Sequence, residues 1–183
     1  TPLSSVQNIL LTPHLGASTQ EAKEGVSRAV CEQVRDFLLD GKLDNALNIP
    51  ISDISLLRTL EPHLELATKI GEFHQQISSS PADNIHVETR GTLTEVKLVT
   101  LAFLKGFLGT AHGSSINFVN ALAVAQQHGI EVEESYRHGK EDYANLISTT
   151  VSADGISNTI RGSLFSDKHP RIVYYDGVHL DLN

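Results

Sequence analysis

The chain has 183 residues, of which 40% are hydrophobic and 20% charged, and its formal net charge is −8. This balance describes a globular protein and excludes a disordered chain, which would be poorer in apolar residues. The acidic balance also argues against nucleic acid or an anionic membrane as a general partner, because phosphate binding needs a concentrated basic face. The single cysteine, Cys31, rules out an intramolecular disulfide and a cysteine-rich metal site, and it favours a reducing, cytoplasmic setting.

Targeting signals are absent from the sequence. No apolar run approaches the roughly 20 residues that span a bilayer, and the chain does not open with a basic and then apolar signal segment. It contains no methionine and begins at Thr1. Because an encoded chain starts with methionine, these observations predict a processed product or an excised piece of a longer protein.

The amino-terminal region is predicted to form a strand, a loop and one long helix. Val6–Leu11 is short and apolar, which is typical of a buried strand in a parallel sheet. After an irregular loop, Ser18 and Glu21 have the spacing of a capping box, which predicts a helix start. The helix should run to Asp40, and Gly41 is a natural terminator. Its apolar residues recur at helical spacing: Ala22, Val26, Ala29, Val30, Val34, Phe37 and Leu38.

A second region is predicted after the extended segment Asn45–Pro50, since a proline disfavours helix at the residue before it. Pro62 suits the first turn of a helix that the serines at 78–80 would end, and further helices are expected over 94–108 and 115–128. Helices followed by hairpins predict an α+β domain, an antiparallel sheet with helices packed on one face. The predicted strands are 85–90, 131–136, 145–152, 157–165, 171–175 and 178–182, with turns at Asp154-Gly155 and Asp176-Gly177.

The residue pattern alone leaves His14 ambiguous, because a lone histidine in a loop is usually a surface or helix-capping residue. The nine histidines could suggest a metal ion, but none forms a pair with ligand spacing or lies near the cysteine, so no metal site is predicted. Cys31 lies one position from the apolar stripe of the long helix, which favours a packed, inert thiol.

One segment carries a more specific signal. NILLTPHLGASTQEA, residues 8–22, followed by a long helix and then NALNIP, closely resembles the end of the nucleotide-binding domain in D-isomer-specific 2-hydroxyacid dehydrogenases. The resemblance implies that His14 is the catalytic acid/base, and an imidazole suits that role because it can both take and give the alcohol proton. It also implies that His14, Leu15, Gly16 and Ala17 lie beside the nicotinamide of NAD, where Gly16 has no side chain to block a close approach.

The same resemblance implies that other parts of the catalytic site are not in this chain. In the family, a carboxylate that orients the imidazole and an arginine that holds the substrate carboxylate both lie upstream of this segment. The chain also has no G-x-G-x-x-G turn, since Gly106, Gly109 and Gly113 have a different spacing. We therefore expect the intact enzyme to bind NAD, but this chain alone to bind it negligibly and to be inactive.

Three further segments narrow the family. They resemble the intervening domain of long, bacterial-type phosphoglycerate dehydrogenases, and also a domain of bacterial serine dehydratases. The resemblance implies a catalytic-region remnant of Rossmann type at 1–44, a linker at 45–52 and an intervening domain at 53–183, after which an ACT domain would begin. The segments are LEPHLELATKIGEF (60–73), GSSINFVNALAVAQQHGIEV (113–132) and RGSLFSDKHPRIVYYDGVHLDL (161–182).

The implied parent protein is an NAD-dependent dehydrogenase that oxidises 3-phospho-D-glycerate to 3-phosphohydroxypyruvate on the route to serine. Two alternatives stay open: a non-catalytic regulatory module that binds a small anion, and a dehydrogenase of a different 2-hydroxy acid. The expected partner is thus a small-molecule substrate or an anionic effector. Arg161 and Arg171 are the favoured anion-binding residues, because they lie on predicted neighbouring strands near the end that would face an ACT domain.

The long helix also predicts self-association. If its normal packing partner is missing, it exposes an apolar stripe made by Val26, Val30, Val34 and Phe37. A stripe of this kind is expected to seek another chain, so we expect a homo-oligomer through this helix.

Overall fold

A computed structural model describes residues 8–42, 44–45, 54–112, 115–138, 143–166 and 169–182. The chain divides into two structural units, Thr1–Asp44 and Asn45–Asn183. The predicted linker at 45–52 lies outside the described residues from position 46 onward.

The first unit contains one helix, α1, which spans Gln20–Asp40. Its N-cap is Thr19, in an extended conformation, and the Thr19 hydroxyl accepts a hydrogen bond from the Ala22 N–H at 3.1 Å. The capping residue was predicted to be Ser18, and this was wrong by one position, because the Ser18 hydroxyl instead donates to the Leu15 carbonyl. Gly41 ends the helix as predicted, with a left-handed φ of 66°.

The strand predicted at Val6–Leu11 is not found where the structure describes it. Residues 8–11 form no strand, and Asn8 has a positive φ of 69°. A strand needs a neighbouring strand to receive its backbone hydrogen bonds. All the strands that the structure describes belong to the second unit. The described part of the first unit therefore offers no neighbouring strand with which residues 8–11 could pair.

In its described residues, the second unit holds three α-helices and a six-stranded sheet with the order β2-β1-β3-β4-β5-β6. All neighbouring strands are antiparallel except β1 and β2, which run parallel. The parallel pair follows from the helical crossover between them, since a parallel connection needs a long return path. The elements are α2 (Ile54–Ile77), β1 (Asn84–Gly91), α3 (Val96–His112), α4 (Ala121–Gln127), β2 (Glu131–Arg137), β3 (Asn145–Ala153), β4 (Ile156–Phe165), β5 (His169–Tyr175) and β6 (Val178–Leu182).

The predicted α+β class is confirmed, with helices against one face of a mostly antiparallel sheet. Alternate strand residues such as Ile85, Val87 and Ile147 are buried and join the helix residues in one core cluster. Phe103 and Ile70 from the helices are fully buried in the same cluster. The opposite face of the sheet carries polar side chains such as Glu88, Ser148 and Arg161.

The boundaries of three predicted helices were wrong. The helix predicted over 94–108 spans Val96–His112. The helix predicted to start at Pro62 begins at Ile54 and contains the proline in its interior. The helix predicted over 115–128 covers only Ala121–Gln127. Its expected first turns are replaced by side-chain hydrogen bonds: the side-chain Oδ1 of Asn117 accepts from two backbone N–H groups, and the side-chain Nδ2 of Asn120 donates to the Ser115 carbonyl.

Two glycines let α2 and α3 approach each other closely. A Cβ placed on Gly71 would lie 2.2 Å from the Phe103 carbonyl oxygen, and one on Gly106 would lie 2.0 Å from the Thr68 carbonyl oxygen. Both distances are far shorter than van der Waals contact with backbone atoms that cannot move away easily. The helix pair therefore requires glycine at both positions.

The two predicted hairpin turns are confirmed. Asp154-Gly155 joins β3 to β4 with φ values of 51° and 78°, and Asp176-Gly177 joins β5 to β6 with φ values of 40° and 93°. Two successive positive φ values match the twist of antiparallel strands. Among the described residues, no helix is both long enough and apolar enough to cross a membrane.

Candidate functional site

The first candidate site is the turn that carries His14. The Ser18 N–H donates to the Leu15 carbonyl at 3.3 Å, and the Ser18 hydroxyl donates to the same oxygen at 3.0 Å. These two bonds close a tight turn with Gly16 and Ala17 at its centre. Thr19 then caps α1, so the turn leads directly into the helix.

The predicted nicotinamide-contact residues are consecutive in this turn and are all exposed. Gly16 lies next to the imidazole: a Cβ built on it would be 3.5 Å from the His14 Nε2 atom. The absence of a side chain at Gly16 therefore keeps one side of the imidazole nitrogen open. An exposed imidazole with an open ring nitrogen can exchange a proton with a small molecule.

The second candidate site is the sheet surface opposite the helices, here called the polar sheet face. The strand register places its residues in rows that cross the sheet. The central row runs from Ser135 through Glu88, Ser148 and Arg161 to Tyr174. Residues of the face that hydrogen-bond across strands are His86 with Ser135, Thr150 with Thr159, and Ser152 with Ser157.

The two arginines predicted for anion binding both lie on this face, on the adjacent strands β4 and β5. The guanidinium of Arg161 lies 4.4 Å from the ring centre of Tyr174, and that of Arg171 lies 5.7 Å from that of Phe165. The Arg161 Nε atom is buried without a hydrogen-bond partner. A buried N–H donor without an acceptor is unfavourable.

Sequence reasoning missed a charged cluster at the other end of the face. The Glu88 side chain, only 7% exposed, accepts a hydrogen bond from the Nε atom of Arg90 at 2.5 Å and forms an ion pair with the Nε atom of Arg137 at 2.7 Å. The alternation of Glu88 and Arg90 along β1 indicates that they share a face. Arg137 could not have been added from the sequence, because its position depends on the parallel pairing of β1 with β2.

A second missed residue is His74, which is fully buried in the core of the second unit. Its ring packs edge-on against Phe103 and its Nε2 lies 2.9 Å from the Thr149 hydroxyl. That hydroxyl donates to the Ile160 carbonyl, so Nε2 carries the proton and donates, while Nδ1 is buried without a partner. Burial lowers the pKa of His74 to about 4, although Thr149 and the negative charge of Asp176 act in the opposite direction.

Two remaining predictions concern cysteine and metal. Cys31 is exposed, so the expectation of a packed thiol was wrong; none of the residues of α1 is buried, and the thiol has no core to pack into there. The part of the chain that the structure describes holds no group of three or more His, Cys, Asp or Glu residues arranged to bind a metal ion.

Proteins from several organisms are similar to this chain. The D-3-phosphoglycerate dehydrogenase of Bacillus subtilis (strain 168) is 32% identical over 175 residues, which are 94% of this chain and 33% of that protein. That of Synechocystis sp. is 33% identical over 177 residues, 95% of this chain and 32% of that protein. That of Methanocaldococcus jannaschii is 33% identical over 178 residues, 96% of this chain and 34% of that protein. The chain thus spans about a third of the length of the curated relatives it matches.

A family model supplies the assignment. The model described as the D-3-phosphoglycerate dehydrogenase intervening domain matches residues 59–176. These residues run from α2 to the turn before β6 and include the polar sheet face. The chain therefore belongs to the D-3-phosphoglycerate dehydrogenase intervening-domain family.

Proposed function

We propose that this chain is part of a cytoplasmic, NAD-dependent dehydrogenase that oxidises 3-phospho-D-glycerate to 3-phosphohydroxypyruvate in serine biosynthesis. In this proposal residues 1–44 belong to the catalytic region and residues 53–183 form the intervening domain. The observation that carries it is the exposed His14 turn, joined in one chain to a domain of this family. The names of the relatives support the same reaction.

The chemistry assigned to this chain is proton transfer by His14. Oxidation of the alcohol requires its oxygen to lose a proton, and the exposed imidazole accepts that proton at its open ring nitrogen. NAD, when bound, accepts the hydride. The residues present fit one side of a nicotinamide, because Gly16 leaves free space beside the ring and the neighbouring residues are exposed. The chain has no G-x-G-x-x-G turn for the pyrophosphate, so we expect it to bind NAD negligibly by itself.

The proposal is tested in the full-length protein that carries this chain, assayed with NAD and 3-phospho-D-glycerate. His14→Asn should lower kcat by about 10² or more, the range that general acid–base catalysis contributes. His169→Asn is the matched control, since His169 is also an exposed histidine but lies in β5. Equal activity of the two variants would contradict the role of His14. Turnover of another 2-hydroxy acid in place of 3-phospho-D-glycerate would favour the alternative dehydrogenase.

The second candidate function is a regulatory module that binds a small anion. The specific observation in its favour is Arg161, whose guanidinium is held over Tyr174 while its Nε has no hydrogen-bond partner. Arg171 lies on the same face of the adjacent strand. Phosphate should therefore raise the Tm of the chain, and replacing both arginines by alanine should abolish the shift. The control is Lys97→Ala, an exposed cation on α3; an unchanged shift in the double arginine variant would place the anion elsewhere.

We also propose that the chain forms a homo-oligomer through α1. Val26, Val30 and Val34 are each about half exposed, at 52%, 51% and 52%, and Phe37 is 43% exposed. These residues recur every three or four positions and so form one stripe. Light scattering should detect oligomers, and Val30→Asp with Val34→Asp should shift the chain to monomer. A wild-type chain that stays monomeric at high concentration would contradict this proposal.

A further inference from the structure

The His14 turn is an exposed segment whose order depends on a few hydrogen bonds. Every described residue from position 8 to position 20 is exposed, so side-chain packing contributes little to fixing the imidazole within this unit. Proton transfer, however, requires the imidazole to be held close to one geometry, because small displacements of a catalytic group reduce the rate strongly. Within this chain, hydrogen bonds of the turn itself are the local contribution to that order.

Ser18 supplies two hydrogen bonds to a single acceptor. Its N–H and its hydroxyl both donate to the Leu15 carbonyl, at 3.3 Å and 3.0 Å. Gly16 lies between these partners, and a Cβ built on it would be 3.5 Å from the His14 Nε2 atom, so the turn backbone passes close to the imidazole. The Ser18 side chain is thus linked to the region of the His14 Nε2 atom only through the backbone of the 15–18 turn.

Thr19 performs a different task. Its hydroxyl accepts from the Ala22 N–H at 3.1 Å, and its carbonyl accepts from the Lys23 N–H at 3.1 Å, so it fixes the first turn of α1. The two successive hydroxyl residues therefore have different roles. Thr19 fixes the start of the helix, and Ser18 fixes the turn on the amino-terminal side of it.

We infer that Ser18 is a positioning residue for His14: its hydroxyl holds the 15–18 turn closed, and the closed turn sets the path of the backbone beside the imidazole and so orients the ring for proton transfer. The inference rests on the proposed function of His14. It assigns Ser18 no contact with substrate or cofactor. A backbone N–H remains at position 18 in any variant other than proline, so loss of the hydroxyl weakens the turn without abolishing it.

The kinetic test compares three variants in the full-length protein. Ser18→Ala should lower kcat about ten-fold with little change in the KM for NAD, because ring orientation and not cofactor affinity is impaired. Ser18→Thr retains a hydroxyl and should restore most of the rate. Ser27→Ala removes a hydroxyl from an exposed position of α1 and should leave kcat unchanged. Wild-type kcat in Ser18→Ala, together with loss of activity in His14→Asn, would overturn the inference and leave the proposed function standing.

A second measurement tests the positioning role of Ser18 without an enzyme assay. In NMR spectra of the 183-residue chain, the His14 ring signals should shift and show faster ring motion in Ser18→Ala, and return toward wild type in Ser18→Thr. Identical His14 ring signals in the wild type and Ser18→Ala would overturn the inference, whatever the enzyme assay shows. Altered ring signals with an active His14→Asn enzyme would support the positioning contact and contradict the proposed catalysis.

Discussion

The two units of the chain differ in what holds their helices in place. In the second unit, α2 and α3 meet through glycines and bury a continuous cluster against the sheet. In the first unit, α1 carries an exposed apolar stripe, and none of its residues is buried. Helix α1 has a cap at each end, Thr19 and Gly41, so the local sequence features that begin and end a helix are both present.

The difference teaches that local signals and tertiary burial are separate sources of stability. Caps contribute about 1 kcal/mol each, whereas most helical stability in proteins comes from packing an amphipathic face. The core cluster of the second unit provides that packing. The first unit therefore holds the candidate catalytic turn on a helix whose apolar face is open, and the second unit holds the stable scaffold.

The largest expected effect compares the same substitution in the two units. Leu104 of α3 is fully buried, and Leu38 of α1 is 73% exposed. Leu104→Ala should lower the free energy of unfolding by about 4 kcal/mol, through lost burial and the cavity left behind. Leu38→Ala should change it by less than about 0.5 kcal/mol. Denaturant unfolding measures both, and similar losses in the two variants would show that α1 is packed as firmly as α3.

A second substitution tests the close approach of α2 and α3. Gly71→Ala should destabilise the second unit by about 3 kcal/mol, because the added Cβ would meet the Phe103 carbonyl oxygen and the Phe107 nitrogen. Gly109→Ala is the matched control in α3, where a Cβ would have no atom within 4 Å. That control should be neutral or more stable by up to about 1 kcal/mol, since alanine favours helix. Equal Tm values for the two variants would disprove the close approach.

The smallest of the three effects is the pH dependence due to His74. Its pKa in the folded chain is about 4, below the ordinary value, so between these two values the unfolded chain binds a proton that the folded chain does not. Stability is therefore complete above about pH 7 and falls as the pH is lowered toward 4, by about 2 to 3 kcal/mol from this group. Unfolding measured from pH 7 to pH 4.5 should show this loss in the wild type.

The control for that prediction is His74→Asn, which removes the titrating ring. Its overall stability should be lower at neutral pH, but the part of the pH dependence that belongs to His74 should disappear. An unchanged slope against pH in the variant would show that other groups cause the loss, and that His74 is not kept neutral by burial.

Much of the second unit could be predicted from its sequence because its signals are local. The Asp-Gly turns need positive φ, and both were located correctly. The predicted helix boundaries were wrong where tertiary packing or side-chain hydrogen bonds determine them. Helix α2 begins before Pro62, and the side-chain hydrogen bonds of Asn117 and Asn120 shorten α4. The parallel pairing of β1 with β2 was also not predicted, because it depends on the path of the helices between them.

The candidate sites were predictable to different degrees. Pattern alone did not distinguish His14 from a surface histidine, and only the resemblance of its whole segment singled it out. Arg161 and Arg171 were predicted on neighbouring strands, and the structure places them on one face. His74 was missed because a histidine on a helical apolar stripe has no sequence signal that reveals its burial against Thr149.

Hydrogen exchange of the intact chain tests the difference between the two units most directly. The measurement is made at a concentration at which light scattering shows a monomer, so that self-association does not protect α1. Amides of α3 and of the central strands β3 and β4 should exchange only through global unfolding, while those of α1 should exchange faster by several orders of magnitude. Equal protection of α1 and α3 in the monomer would contradict the account, because it would require a buried face on α1.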